Sequence, residues 1–179
     1  MENNPAILFE QSREKTRVLI TGSAKGIADL IVQSLIFCGK KVDYITYSNS
    51  DITGNDFLIL ENKNTSEVVN FHPNVVFIAS EDSSEDFSDL LKNIVGGGIL
   101  IYNKADENLL NTINASQNYF RKLPYSKLIT QGNTFKTEYG DMPLPSQNQE
   151  INEHIEGARL LCQQLGIMEE EFYESLMSY

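Results

Sequence analysis

The segment that most constrains this chain is residues 17–39, where an apolar run is joined to an amphipathic helix by a turn with two glycines. Residues 17–21 suit a strand that is buried on both faces. Leu30, Leu35 and Cys38 belong to a set of apolar positions at helical spacing. A flexible turn before a helix exposes free N–H groups that favour phosphate. We therefore predict a phosphate site formed by Thr21, Gly22, Ser23, Ala24, Lys25 and Gly26.

The next part of the chain continues to alternate between strand and helix patterns. Helices are predicted around residues 87–94, after a capping box at 82–85, and around 106–113. The spacing allows parallel crossovers, so we expect a doubly wound, mostly parallel α/β sheet with helices on both faces, a Rossmann-like three-layer fold. Ligands would bind at the carboxyl ends of its strands. The predicted strands are 17–21, 42–47, 57–60, 75–79 and 99–102.

The rhythm changes after Tyr119, which we expect in the core. Residues 126–130 and 134–139 flank a Gln-Gly-Asn turn, which predicts a small antiparallel element at the sheet edge. Residues 142–146 contain two prolines and suit a stiff connector. An apolar stripe over 151–165 predicts a helix with His154 facing solvent. Residues 169–177 predict a final, acidic helix.

Composition limits the function. The net charge of −11 would repel a phosphate backbone, so we expect no nucleic-acid partner. The two cysteines and two histidines suggest neither a disulfide nor a metal centre. The sequence shows no signal-peptide pattern and no apolar run near ~20 residues. We therefore expect a cytoplasmic chain with no membrane partner. A length of 179 residues favours one domain over 17–179, with 1–16 as a lead-in.

Residues 19–28 resemble the cofactor loop of the short-chain dehydrogenases, which implies NAD(P) binding. Ala28 stands where that pattern has its last glycine. The family's catalytic tyrosine has a lysine four residues on, whereas Tyr119 and Tyr125 are followed at that spacing by Leu123 and Ile129. NAD(P) binding is therefore the alternative interpretation.

A longer, collinear resemblance runs from about residue 8 to the end of the sequence. The sequence is similar to the central, ATP-binding domain of the Mur ligases, nearest the branch of the muramate–alanine ligase and the murein peptide ligase. This resemblance implies a peptidoglycan-related fold, with ATP and Mg²⁺ as ligands. The segments that carry it are 9–17, 57–61, 73–78, 97–106 and 157–176.

The family loop reads Thr-Gly-Thr/Ser-x-Gly-Lys-Thr-Thr. The first three positions match here, but Lys25 and Gly26 stand in reversed order, and Ile27 and Ala28 replace both hydroxyl residues. Glu61 matches the metal-binding carboxylate.

Two other family features have no counterpart. The later metal-side histidine is missing after Ile78, and the adenine-holding set falls on Glu150, Ile151 and His154.

Losing one donor to a transferring phosphoryl group costs on the order of 3 kcal/mol. Because several groups are altered together, we predict no catalytic residues and no efficient ligase activity. The expected role is a divergent stand-alone Mur central domain, a pseudoenzyme that binds a nucleotide weakly or binds a partner. The alternative is one component of an active UDP-muramate or peptide ligase. Apolar residues at 7–9 and 172–177 should fold back onto the body, or pair in a homodimer or with other Mur-type chains.

Overall fold

The computed structural model describes residues 5–80 and 85–179, which form a mostly parallel sheet, a small antiparallel sheet and flanking helices. The strands of the large sheet are β1 Thr16–Gly22, β2 Asp43–Ile45, β3 Ser50–Asp51, β4 Phe57–Glu61, β5 Val75–Ala79, β6 Ile99–Asn103 and β7 Arg121–Tyr125. The small sheet contains β8 Thr130–Gln131, β9 Thr134–Thr137 and β10 Gly140–Pro143. The helices are α1 Pro5–Gln11, α2 Ile27–Phe37, α3 Ser88–Asn93, α4 Glu107–Ala115, α5 Gln149–Glu153, α6 Ile155–Gln164 and α7 Glu169–Leu176.

The large sheet has the strand order β3-β2-β4-β1-β5-β6-β7, and only β3 pairs in the antiparallel direction. The predicted doubly wound α/β fold is therefore confirmed. Side chains alternate along each strand, so β1 directs Val18 and Ile20 towards one helix layer and Leu19 towards the other. The first layer contains α2, α6 and α7, and the second contains α3 and α4.

The antiparallel element is a separate three-stranded sheet, and it packs on α7 through Phe135, whose ring lies 6.0 Å from that of Tyr173. The strand expected over 126–130 is irregular except at Thr130. The stretch 142–146, expected to be a connector, begins instead as the end of β10. Pro143 is tolerated there because β10 is an edge strand.

Two expectations about single side chains are wrong. His154 is 1% exposed, at the junction where the expected long helix divides into α5 and α6. Its Nδ1 lies 2.6 Å from the hydroxyl of Tyr125, a partner from β7 that periodicity could not reveal. Tyr119, expected in the core, is 80% exposed, while its neighbour Phe120 is buried.

The ends of the described chain pack on the body. The Arg17 guanidinium donates hydrogen bonds to the carbonyl oxygens of Ser12 and His72, at 2.8 and 3.0 Å, and lies 5.0 Å from the centre of the Phe9 ring. This interaction fastens the carboxyl end of α1. At the other end of the chain, α7 buries Phe172, Tyr173 and Leu176 in the core and leaves Met177 exposed.

The start of β2 is held by a buried carboxylate. Asp43 is fully buried and accepts hydrogen bonds from Lys15 Nζ at 2.5 Å and from the backbone N–H groups of Thr53 and Asn55 at 3.0 and 3.1 Å. Burial alone would raise the pKa of Asp43, but the hydrogen bonds outweigh it and lower the pKa to about 2. The charged form is therefore the one that stabilises the fold.

We predict that Asp43→Asn lowers the free energy of unfolding by about 2 to 3 kcal/mol at pH 7, since it leaves Lys15 unpaired. The folded pKa lies below the unfolded value near 4, so the stabilisation is present above pH 4 and lost as the pH falls from about 4 to 2. Denaturant unfolding at several pH values measures both effects. The matched control is Asp51→Asn on exposed β3, and equal losses in the two variants would contradict the prediction.

Candidate functional site

The candidate site lies at the carboxyl ends of β1, β4 and β5. In the strand register Gly22 stands opposite Ala79, and Ile20 stands opposite Glu61. The predicted phosphate turn and the predicted metal carboxylate therefore lie at the same edge of the sheet. Whether they bind phosphate or metal stays a prediction.

Gly22 brings the start of the turn into direct contact with β5. Its φ is +116°, and a Cβ there would lie 2.3 Å from the carbonyl oxygen of Ala79. That oxygen accepts hydrogen bonds from the N–H groups of Ser23 and Ala24, at 3.0 and 3.3 Å. Two backbone donors that could have faced a phosphate are thus used inside the protein.

The end of the turn is partly covered by α5. Gly26 has φ +88° and stands at the N-cap of α2, where no side chain caps the helix. A Cβ on Gly26 would lie 3.0 Å from Cδ1 of Ile151. Ala24 is buried, whereas Ser23 and Lys25 are exposed. The exposed strip of the turn therefore consists of Ser23 and Lys25, with Gly22 and Gly26 partly exposed.

A cavity of about 390 Å³ opens beside this strip. Besides Gly26, it is lined by Lys25, Asp29, Tyr47, Ser48, Glu61 and Lys63. Sequence reasoning identified Lys25, Gly26 and Glu61 but missed the rest. Those other residues come from α2 and from the segments after β2 and β4, so only the order of the strands reveals that they meet.

Glu61 is the buried charge of this cavity, with 8% of its surface exposed. Burial raises the pKa of its carboxyl group, and the nearby charge of Asp29 raises it further. The N–H of Tyr47 donates to Oε2 at 2.9 Å and opposes this shift, but the net effect is a raised pKa. Asp29 is itself held in place, because its Oδ1 accepts from the hydroxyls of Thr46 and Ser48 at 2.9 and 2.5 Å.

Tyr47 connects the two segments that border the cavity. Its backbone N–H binds Glu61, and its hydroxyl accepts from the N–H of Lys63 at 2.6 Å. The ammonium group of Lys63 lies 5.6 Å from the centre of the same ring, in a cation–π contact. Tyr47 as a whole is still 61% exposed, so the residue is accessible to a ligand.

These residues do not fit a magnesium triphosphate. Ile27 and Ala28 are buried apolar residues and supply no hydroxyl to a metal ion. The first two turn amides are occupied by Ala79, and Asp29 adds negative charge to the first turn of α2. Among residues 5–80 and 85–179, no three His, Cys, Asp or Glu side chains form a group that could hold a metal.

No protein-family model and no curated protein matches the sequence, but solved structures match nearly all of the chain. One is the UDP-N-acetylmuramate:L-alanyl-γ-D-glutamyl-meso-diaminopimelate ligase from Neisseria meningitides, with a TM-score of 0.74, 10% identity and coverage of 96% of this chain and 68% of that one. Another is a murein peptide ligase from Psychrobacter arcticus, with a TM-score of 0.75, 11% identity and coverage of 98% and 49%.

A third is the MurF ligase from Thermotoga maritima in complex with ADP, with a TM-score of 0.65, 16% identity and coverage of 97% and 52%. The chain thus has the fold of the Mur ligases, and the resemblance seen in the sequence is confirmed at that level. It spans about half the length of the second and third of these proteins. Identities this low establish the fold alone. No helix in the described ranges is long and apolar enough to cross a membrane.

We predict that Gly22→Ala destabilises the protein by about 4 kcal/mol, because it combines an unfavourable positive φ with a collision against the backbone of Ala79. The matched control is Gly39→Ala, which also has a positive φ but no atom within 4 Å of the added methyl group. That control should cost about 1 to 2 kcal/mol. Chemical denaturation measures both variants, and similar losses would show that the contact with β5 is unimportant.

Proposed function

We propose that this chain is a ligand-binding module with a Mur ligase fold that does not catalyse efficient ATP-dependent ligation. The observation that carries the proposal is the chemistry of the turn, where Ile27 and Ala28 replace metal-binding hydroxyls and Ala79 occupies two amides. Any affinity for ATP is weak. The matched structures include a ligase crystallised with ADP, which supports a nucleotide-like ligand for this chain.

The energetic consequence is large because the altered groups act on the same charge. Each lost donor to a developing phosphoryl charge removes on the order of 3 kcal/mol of transition-state stabilisation, or more than a hundredfold in rate. We therefore propose that the role of the chain depends on binding and not on catalysis. The names of the matched ligases suggest that this role is related to peptidoglycan chemistry.

Two alternatives have less support. In the common dinucleotide fold, β1 and β2 are neighbours, whereas here β4 lies between them. An NAD(P) ribose would therefore have to contact Glu61 of β4 in place of an acid from β2. The tyrosine–lysine pair of the short-chain dehydrogenases is also missing at Tyr119 and Tyr125. An active ligase completed by other chains would need those chains to provide metal-binding groups that Ile27 and Ala28 lack.

We also propose that the chain associates, either as a homodimer or with other Mur-type chains. Most apolar residues of α7 are already covered by the chain itself, so the contact would use the exposed remainder, such as Met168 and Met177. Sedimentation velocity at micromolar concentration tests this, and a single monomeric species at every concentration would remove the homodimer.

We predict that the purified chain hydrolyses ATP with Mg²⁺ far more slowly than about 1 per second, the lower end of ordinary enzyme turnover. In the same assay a murein peptide ligase with its substrates serves as the positive control. Thermal shifts with ATP and Mg²⁺, ADP, NAD and NADP report binding, because a ligand of the folded state raises its stability. Turnover near the rate of the control would refute the proposal.

A further inference from the structure

The cavity beside the turn holds opposite charges that are not paired with each other. Lys25 and Lys63 line the same space as Asp29 and Glu61, yet none of these four residues makes a salt bridge within 4 Å in the part of the chain that the structure describes. Lys63 rests on the Tyr47 ring instead. The cavity therefore presents two cations and two anions that a ligand could contact separately.

In each carboxylate, one oxygen accepts a hydrogen bond from the protein and the other accepts none among the described residues. Oε2 of Glu61 accepts from Tyr47, and Oδ1 of Asp29 accepts from Thr46 and Ser48, while Oε1 and Oδ2 have no hydrogen-bond donor among the described residues. Glu61 is more than nine-tenths buried and still lines the cavity. An ionised carboxylate can only accept hydrogen bonds, so the matching ligand group must donate. Two neighbouring hydroxyl groups provide two such donors.

The two lysines of the cavity suit an anion. Lys25 and Lys63 supply two ammonium groups to the same cavity, and these can pair with a phosphate. Tyr47 is exposed, lines the same cavity and offers an aromatic surface to a ligand. At about 390 Å³, the cavity is near the small end of ligand sites, which suits a compact ligand better than a triphosphate.

We propose that this cavity binds a small phosphorylated compound with a vicinal diol, such as a pentose phosphate or a nucleoside monophosphate. The two hydroxyls donate to Glu61 and Asp29, and the phosphate lies against Lys25 and Lys63. This inference rests on the proposed function in that it names the ligand of a binding module. It gives the turn and Glu61 a use that requires neither a metal ion nor phosphoryl transfer.

The test is calorimetric titration of the purified chain with ribose 5-phosphate, AMP and 2′-deoxy-AMP, and with ribose and inorganic phosphate alone. AMP should bind at least about tenfold more tightly than 2′-deoxy-AMP, because the analogue lacks one of the two donors. Ribose or phosphate alone should bind more weakly than ribose 5-phosphate. Comparable binding of AMP and ribose 5-phosphate identifies a sugar phosphate, and tighter binding of AMP identifies a nucleotide.

Variants locate the binding. Lys25→Met and Glu61→Gln should each weaken binding of the tighter ligand by about tenfold or more, and the matched charge control Lys41→Met, exposed and outside the cavity, should not. Circular dichroism verifies that each variant is folded. Lys25 is exposed, so its replacement is expected to fold even if Glu61→Gln does not.

Equal affinity for AMP and its 2′-deoxy analogue, no binding at millimolar ligand, or unchanged affinity in Lys25→Met would overturn the inference. None of these results bears on ATP turnover, which is measured separately. The diol site can therefore fail while the proposed function stands. Conversely, rapid ATP hydrolysis would refute the proposed function whatever the titrations show.

Discussion

The close approach of Gly22 to the end of β5 is the contact on which the site depends. A side chain at this position would collide with Ala79, so only glycine lets β1 turn into α2 at this distance from its neighbour. The same approach brings the Ala79 carbonyl within reach of two turn amides. The contact that stabilises the turn therefore also reduces its capacity for phosphate, because the same donors cannot serve both acceptors.

Charge has different roles at the two ends of the strands. At the start of β2, Asp43 is enclosed by a lysine and several N–H groups, and its pKa is low. At the end of β4, Glu61 has one backbone donor and a carboxylate neighbour, and its pKa is raised. The first arrangement satisfies the charge internally and fixes a loop. The second leaves acceptor capacity unused, which is the physical property expected of a residue that contacts a ligand.

The parts of the fold that could be predicted are those with a strong local pattern. The central strands of the parallel sheet, such as β5, are continuous apolar runs, and Asp106 caps α4 because its side chain accepts from the N–H of Leu109. The edge strand β7 was not predicted, because it is mostly polar and exposed. The small sheet was placed less well because its strands are short and partly exposed. His154 and Tyr119 were misjudged because burial there depends on Tyr125 and on packing beyond the local sequence.

The site was predictable only where a short continuous segment carries a motif of its own. The turn could be recognised because glycine, lysine and helix pattern are adjacent in the chain. Glu61 was recognised because residues 57–61 resemble the Mur ligase strand that ends in a metal-binding carboxylate. Tyr47 and Lys63 join them only because β2 lies next to β4 and β4 next to β1. The sheet is stabilised by apolar side chains on both of its faces, whereas Lys25, Asp29 and Lys63 lie outside these two apolar clusters. The fold can therefore persist when the charged residues at its strand ends differ.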